Sequence, residues 1–402
     1  MFDLERFISE HITKRAQSLF LRDIEARRAE LEDKISGRSL LVIGGAGSIG
    51  SSFIKAVLPF KPRTLAVADI NENALAELTR DLRSTRGLYI PEDYAPYPMG
   101  FDSAVFQKMF RARGGFDIVA NFSAYKHVRS EKDIFSIEAL IRNNLLDARG
   151  LLDLLSDLPP EEYFCVSTDK AANPVSVMGA SKRVMEDMIF SYSNRFPVKT
   201  ARFANVAFSN GSLPAGFLAR ISKLQPLSAP FDVKRYFVSP EESGQICMLA
   251  CFLGQNREIF FPKLDTAQAM TFDAIAVALL REYGYNALRC SSDDEALERA
   301  EALRKGGKDY PVFFGPSDTS GEKPFEEFYT KDETVETGRF ASLGVIVGKQ
   351  RADGKKLARL IDTLERIFAS DGASKRDVIA ALTEYLPDFC HIETGKSLDG
   401  KM

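Results

Sequence analysis

The apolar run Leu40-Leu41-Val42-Ile43 passes without interruption into Gly44-Gly45-Ala46-Gly47-Ser48-Ile49-Gly50, and helical spacing begins directly behind it. Glycines at 44, 47 and 50 mark a tight turn from a strand into a helix. Such a turn gathers backbone N–H groups and the positive end of a helix at one point, which suits a pyrophosphate. The alternation then repeats. Short apolar runs at Ser39–Ile43, Thr64–Ala68, Asp117–Phe122, Tyr163–Ser167 and Lys199–Phe203 read as strands. Helical patterns around 48–57, 71–86, 103–112, 134–156 and 178–195 separate them. Strands and helices alternating over short connections predict an α/β fold, a doubly wound parallel sheet of the Rossmann type.

Outside that core the pattern changes. Residues 1–38 are charged and helical, with Phe7, Ile8, Phe20, Ile24 and Leu31 in partial apolar spacing. They are expected to form a helical N-terminal arm that packs on the body or on a partner subunit. Mixed acidic and basic residues argue against a membrane-surface helix. Residues 39–205 form the nucleotide-binding core. From 206 to 345 the prolines at 214, 226, 230, 240 and 262 break the regularity, which suggests a smaller substrate-binding part interleaved with the last strands. Residues 291–310 read as a solvated helix and loop. Residues 346–402 return to helical spacing over 355–386 and end in a polar tail.

Composition narrows the function classes. A net charge of −3 over 402 residues leaves no basic surplus for nucleic acid. No uncharged apolar window approaches the roughly 18 residues of a membrane span. The first residues lack the basic-then-apolar order of a secretory signal, so the cytoplasm is the expected address. Five scattered cysteines and three histidines show no metal-ligand spacing, and no metal is expected. Cys247 and Cys251, in an apolar helical run, read as core packing.

Gly44, Gly47, Ser48, Ile49 and Gly50 are the first cofactor candidates. Val67-Ala68-Asp69 ends the second strand 19 residues past Gly50. A carboxylate there accepts hydrogen bonds from adenosine ribose hydroxyls and repels a 2′-phosphate, which favours NAD over NADP. Asp69 also suits the N-cap of a helix beginning near Asn71, and the two roles are compatible. Asp102 suits the adenine amine and, nearly as well, a plain loop position.

The chemistry is carried by Ser167-Thr168-Asp169-Lys170 after a strand and by Met178-Gly179-Ala180-Ser181-Lys182 on the next helix. Short-chain dehydrogenases place Tyr-x-x-x-Lys on that helix and use the phenol as acid and base. Met178 has no proton to exchange. Asp169 and Lys170 are suitable types to take over. Dehydration across C5–C6 of a hexose needs such a pair: with C4 oxidised by a bound nicotinamide, a base can remove the C5 proton while an acid protonates the departing 6-hydroxyl. Lys170 then requires a depressed pKa and Asp169 a raised one. Thr168 suits the sugar 4-hydroxyl, and Lys182 the nicotinamide ribose. A surface ion pair, a solvated helix lysine and core filling by Met178 are the plainer readings of these residues.

Taken with Asn121-Phe122-Ser123-Ala124-Tyr125-Lys126-His127-Val128, Asn173-Pro174, Arg202-Phe203-Ala204-Asn205-Val206 and Gly321-Glu322-Lys323, these segments resemble the nucleotide-sugar 4,6-dehydratases of the extended short-chain dehydrogenases. The similarity is closest to the N-acetylglucosamine 4,6-dehydratases of legionaminic acid and related bacterial surface-sugar pathways. It covers most of 38–345, and the tail shares it. The resemblance implies NAD as cofactor and a nucleotide-linked N-acetylglucosamine as substrate. It implies cofactor contacts from Ser123, Ala124 and Lys182, with Asn144 in the same group, and substrate contacts from Lys126, His127, Asn205 and Arg235. On chemistry alone His127 is as readily structural, and Arg235 an ordinary surface arginine. Within the family, Met at the tyrosine position marks retention at C5, whereas the inverting branch keeps Tyr. An inverting dehydratase/5-epimerase, a C4 epimerase and a non-catalytic dinucleotide-sensing protein are the alternatives. The missing Tyr argues against the first two, and the intact Asp169-Lys170 against the third. No motif separates UDP from GDP. A homo-oligomer is expected, with its subunit number open.

Overall fold

The computed structural model describes residues 2–127, 131–317, 321 and 326–393. Val128 and the Glu322-Lys323 pair of the motifs above, and the tail beyond 393, lie outside the described residues. Six parallel strands follow the N-terminal helical segment: β1 (Ser39–Ile43), β2 (Thr64–Asp69), β3 (Asp93–Pro98), β4 (Ile118–Asn121), β5 (Glu162–Val166) and β6 (Val198–Ala201). Their order across the sheet is β3-β2-β1-β4-β5-β6. Glu258–Pro262 continues it in parallel beside β6, and Leu343–Val347 and Thr334–Glu336 close that edge antiparallel. The expected doubly wound α/β sheet is present. β1, β2, β4, β5 and β6 fall within a few residues of their expected runs, because each is buried on both faces and reads as continuous apolar sequence.

β3 escapes that signal. Its sequence Asp-Tyr-Ala-Pro-Tyr-Pro carries two prolines, and it lies at the sheet edge, where a missing N–H breaks no second ladder. The long helix expected over 134–156 is also interrupted. Ile134–Ile141 and Asp147–Asp157 are joined by a π-turn at Arg142–Leu146, which holds Asn143 and Asn144. Such bulges are frequent at functional sites.

Two cores flank the sheet. On one face the helices Ile134–Ile141, Asp147–Asp157 and Val177–Ser191 pack under the C-terminal helices Gly354–Phe368 and Lys375–Tyr385. On the other, Ser48–Val57, Glu72–Ser84 and Pro240–Leu253 form the layer, with Cys247 and Cys251 fully buried. A third core lies beneath the small parallel sheet of Leu227–Pro230, Asn286–Cys290 and Asp309–Gly315. The N-terminal segment packs on the body. Phe20 and Leu31 enter the second core and Phe7 and Ile8 the third. Asp23 accepts from the Ala341 and Ser342 N–H groups at 2.6 and 2.8 Å. Among the described residues, no helix is long and apolar enough to cross a membrane.

Candidate active site

Strand order reverses between β1 and β4, and open sheets of this kind bind ligands beyond the strand ends at that point. The glycine turn lies there. Gly44 has φ +68°, and a Cβ on it would sit 2.7 Å from the Ser123 amide nitrogen. On Gly50 a Cβ would lie 2.5 Å from the Gly44 carbonyl oxygen. The loops after β1 and β4 are therefore packed backbone to backbone. Gly47 begins the helix Ser48–Val57 without a side-chain cap or an acidic first turn, leaving that N-terminus suited to an anion. Asp69 accepts from the Ala46 N–H at 3.1 Å with one oxygen and from the Asn71 N–H at 2.9 Å with the other. Asn71 itself caps the next helix, so Asp69 is bonded to the glycine turn and is not the N-cap. Ser48 accepts from the Asn210 N–H at 2.8 Å, and Ile49 packs at the edge of the second core. Asp102 stands exposed on the loop after β3, where its charge adds to burial in raising the Asp147 carboxyl pKa.

The loop after β4 is held from behind. Asn144, buried, donates to the Tyr125 carbonyl and accepts from the Tyr125 N–H, both at 3.0 Å. Ser123 donates to Asn143 at 3.1 Å, and Ala124 follows it half-buried. Lys182 joins this group: with Asn121, Ser123, Asn143 and Asn144 it lines one small cavity. Its ammonium donates to the Val166 carbonyl at 3.1 Å, and burial lowers its pKa. Lys126 and His127 are exposed on the same loop, with His127 against Gly211.

The end of β5 carries the densest polar cluster. Thr168 is extended and caps the single turn Asp169–Ala171. Its hydroxyl donates to Asp169 Oδ1 at 2.6 Å, and Lys170 Nζ lies 3.2 Å from both Asp169 oxygens. Asp169 is buried and Lys170 half-buried, so this is no surface ion pair. The helix Val177–Ser191 approaches closely, since a Cβ on Gly179 would lie 2.7 Å from the Lys170 carbonyl oxygen. Met178, in its first turn, is 2% exposed and donates its N–H to Glu131 at 3.0 Å.

Asp169 and Lys170 share a small cavity with Val175, Ser176, Arg235, Gly321 and Glu326. Glu326 is the residue that the sequence did not reveal. It accepts from Asn205 Nδ2 at 2.6 Å and the Tyr236 N–H at 3.0 Å, with Arg235 Nε at 3.6 Å. Asn205 and Arg235 thus face a carboxyl group, and Arg235 is buried. Its only hint was position, just after the Gly321-Glu322-Lys323 segment. Burial, then the Asp169 charge, pushes the Glu326 carboxyl up to about 7.

Two further groups hold the cavity walls. Ser167 donates to Glu186 at 2.7 Å, and fully buried Arg202 bonds Glu186 at 2.9 and 2.7 Å and Glu333 at 2.7 and 2.9 Å. Arg202 also donates to the Phe328 carbonyl at 2.9 Å, tying the Glu326 segment to β6. On the opposite side the C-terminal segment enters. Ile392 donates to Val175 and accepts from the Gly321 N–H, both at 3.0 Å, and His391 lies 3.2 Å from Glu131. A cavity of about 780 Å³ lies elsewhere, between the N-terminal segment and the helices Ser48–Val57 and Pro240–Leu253. None of the candidate residues borders it.

The fold and crevice define a doubly wound α/β protein with a glycine turn at the strand-order reversal. Residues 40–342 match the polysaccharide biosynthesis protein family, and the chain belongs to it. It is 31% identical to an uncharacterised membrane protein of Methanocaldococcus jannaschii over 62% of this chain and 73% of that one. It is 26% identical to the probable polysaccharide biosynthesis protein EpsC of Bacillus subtilis over 75% of this chain and 49% of that one, so it spans about half of EpsC. The inverting UDP-N-acetylglucosamine 4,6-dehydratase of Campylobacter jejuni is 23% identical over 75% of this chain and 84% of its own. The structure of Pen from Bacillus thuringiensis superposes with a TM-score of 0.62 at 19% identity, covering 82% of this chain and 98% of that one, and so shares the fold.

Proposed function

We propose that the protein is an NAD-dependent 4,6-dehydratase of a nucleotide-linked N-acetylglucosamine, retaining configuration at C5, in bacterial surface-sugar synthesis of the legionaminic acid type. The observation that carries this reading is the Thr168–Asp169–Lys170 cluster beside a buried Met178, which supplies an acid and a base where a phenol would otherwise stand. The uncapped turn at Gly44–Gly50 and the Asp69 carboxylate bonded to it fit a dinucleotide. Bound there, NAD supplies the hydride acceptor for C4 and the hydride donor for C6. Asp69 favours it over NADP.

The chain's own residues handle the protons. The cycle starts with Asp169 ionised and Lys170 neutral, and oxidation at C4 sends the 4-hydroxyl proton through Thr168, 2.6 Å from Asp169, onto Asp169. Lys170 then takes the C5 proton, and Asp169 protonates the departing 6-hydroxyl. Lys170 returns its proton to C5, so the sugar loses one water and the residues end as they began.

The test is incubation of the purified protein with UDP- and with GDP-N-acetylglucosamine, followed by NMR of the fresh product. A 4-keto-6-deoxy sugar with D-configuration at C5 is expected. An L-configured first product would support the second reading, an inverting dehydratase, which the Campylobacter relative favours. Denaturing the protein should release NAD, and stoichiometric consumption of added NADH during turnover would sink the internal redox cycle.

A further inference from the structure

The C-terminal segment has no part in the reaction just described, yet it is bonded to two walls of the cavity of Asp169 and Lys170. Ile392 donates its N–H to the Val175 carbonyl and accepts from the Gly321 N–H, so one residue links both walls. One position earlier, His391 Nε2 lies 3.2 Å from one Glu131 oxygen, while the other accepts from the Met178 N–H at 3.0 Å. Both side chains of that pair are buried. Lys375, in the first turn of Lys375–Tyr385, donates to the Glu131 carbonyl at 3.2 Å and pairs with Glu393. Phe389, buried in the first core, anchors the approach. We propose that Phe389–Glu393 is a clasp on the acid–base turn, in which His391 and Glu131 are positioning residues that hold Asp169 and Lys170 in reacting geometry.

The route from His391 to Lys170 is short. Glu131 is bonded to the helix start at Met178, and the next residue, Gly179, meets the Lys170 carbonyl with no room for a Cβ. The Ser176 hydroxyl accepts from the Gly179 N–H at 3.1 Å, so two first-turn donors are fixed and set how the helix seats on the turn. A buried carboxylate is costly to leave unbonded, which keeps Glu131 where both its bonds are made. Removing His391 takes one of those bonds and loosens the segment that carries Ile392. Reacting groups owe much of their rate to being held in place, and a shift of about 1 Å can cost on the order of 10²-fold. That kinetic consequence rests on the dehydratase reading; the clasp itself rests on the bonds.

In the full-length protein, His391→Ala should lower kcat per NAD-loaded site about tenfold, less than losing the acid or base outright, with KM within about threefold. His391→Gln, whose amide can donate from nearly the place of Nε2, should recover to within about threefold of the wild type. Wild-type kcat in His391→Ala, or equal loss in both variants, would overturn the proposal. Ile392 gives a second arm with little risk to folding, because its side chain is 40% exposed and its backbone makes the bonds. Ile392→Pro removes the N–H given to Val175 and should cost at least about fivefold more kcat than Ile392→Ala, which keeps it. Equal values for the two would break the clasp. A further measurement needs no substrate. Amide hydrogen exchange at Met178 and Gly321 should quicken at least about tenfold in His391→Ala, and the Ala46 amide, bonded to Asp69, should keep its rate. Unchanged exchange at Met178 and Gly321, or equal quickening at Ala46, rules out a positioning role. If the wild type forms no 4-keto product from either nucleotide sugar, the dehydratase reading fails while the exchange still decides the clasp.

Discussion

The two halves of the crevice are built in opposite ways. The glycine turn and its carboxylate come from one contiguous stretch, Leu40 to Asp69, through neighbouring parallel strands and contacts of Gly50 and Asp69 with backbone inside it, with the loop after β4 closing on Gly44. The cavity around Asp169 is assembled from distant segments: Asn205, Arg235, Glu326 and, behind them, Glu131 and His391. A local site is specified by spacing and survives in sequence as a motif. A convergent site is specified by packing, and its outer members leave no spacing to read. The first should tolerate damage to distant elements; the second should not.

The largest effect should come from the network that joins the distant segments. Arg202 is fully buried between Glu186 and Glu333. Arg202→Met leaves Glu186 buried without its main partner, and losing one member of such a pair costs about 3–5 kcal/mol. Denaturant unfolding should register that loss. The same variant, if folded at low temperature, should keep nucleotide affinity within about threefold, because the glycine turn is local. Equal loss of both properties would erase the distinction between the two halves.

What was legible follows the same division. β1, β2 and β4–β6 announced themselves as apolar runs, and the glycine spacing and Asp69 were legible because the Gly50 and Asp69 contacts lie within one short stretch of chain, whereas the packing of Gly44 on Ser123 was not. Asp169 and Lys170 were legible as an adjacent pair. The sequence could not show that Lys170 bonds both oxygens of Asp169, or that Asn205 and Arg235, taken as substrate contacts, face Glu326. Glu326 and His391 sit on irregular segments without periodicity, and only the fold brings them in. β3 was hidden by its prolines, which an edge position alone excuses.

The next effect is catalytic. Lys170→Ala and Asp169→Asn should each lower turnover at least about 10²-fold, the scale of a positioned acid or base. Neither should shift nucleotide content, since neither touches the glycine turn. Solvent deuterium should enter C5 with the wild type and not with Lys170→Ala if Lys170 is the base. NAD content measured on the same samples separates lost chemistry from lost cofactor.

A smaller effect should appear in stability against pH. The folded pKa of Glu326 lies above the unfolded carboxyl value, so its favourable contribution is complete below about pH 4.5 and is lost as pH rises through about 7. Glu333 runs the other way. Desolvation opposes ionisation, but the bonds and charge of Arg202, with Lys349, outweigh it and depress the Glu333 pKa. Its contribution is present above about pH 4.5 and is lost as pH falls. Glu326→Gln should therefore flatten the decline between pH 5 and 7, a change on the order of 1–3 kcal/mol, and leave the acid side untouched. Chemical denaturation across that range checks both signs. A wild-type curve that rises from pH 5 to 7, unchanged in the variant, would contradict the buried, charge-opposed state of Glu326.

The smallest effect belongs to Met178, and its smallness is the point. Met178 donates its backbone N–H to Glu131 and buries its side chain in the core beside Val177 and Ala180. Leucine keeps the N–H, nearly keeps the volume, and in a packed core such swaps cost less than about 1.5 kcal/mol. Met178→Leu should therefore lower turnover by less than about threefold at equal NAD occupancy, against the 10²-fold of Lys170→Ala. The comparison isolates proton transfer from packing, because both variants leave the glycine turn alone and only one removes a group able to hold a proton. Should Met178→Leu prove as damaging as Lys170→Ala, with NAD bound and the fold intact, the proton chemistry would not reside in the Thr168–Lys170 turn. The thioether would then have to act directly on the sugar, and the division between a local cofactor site and a convergent acid–base site would have to be redrawn around the helix Val177–Ser191.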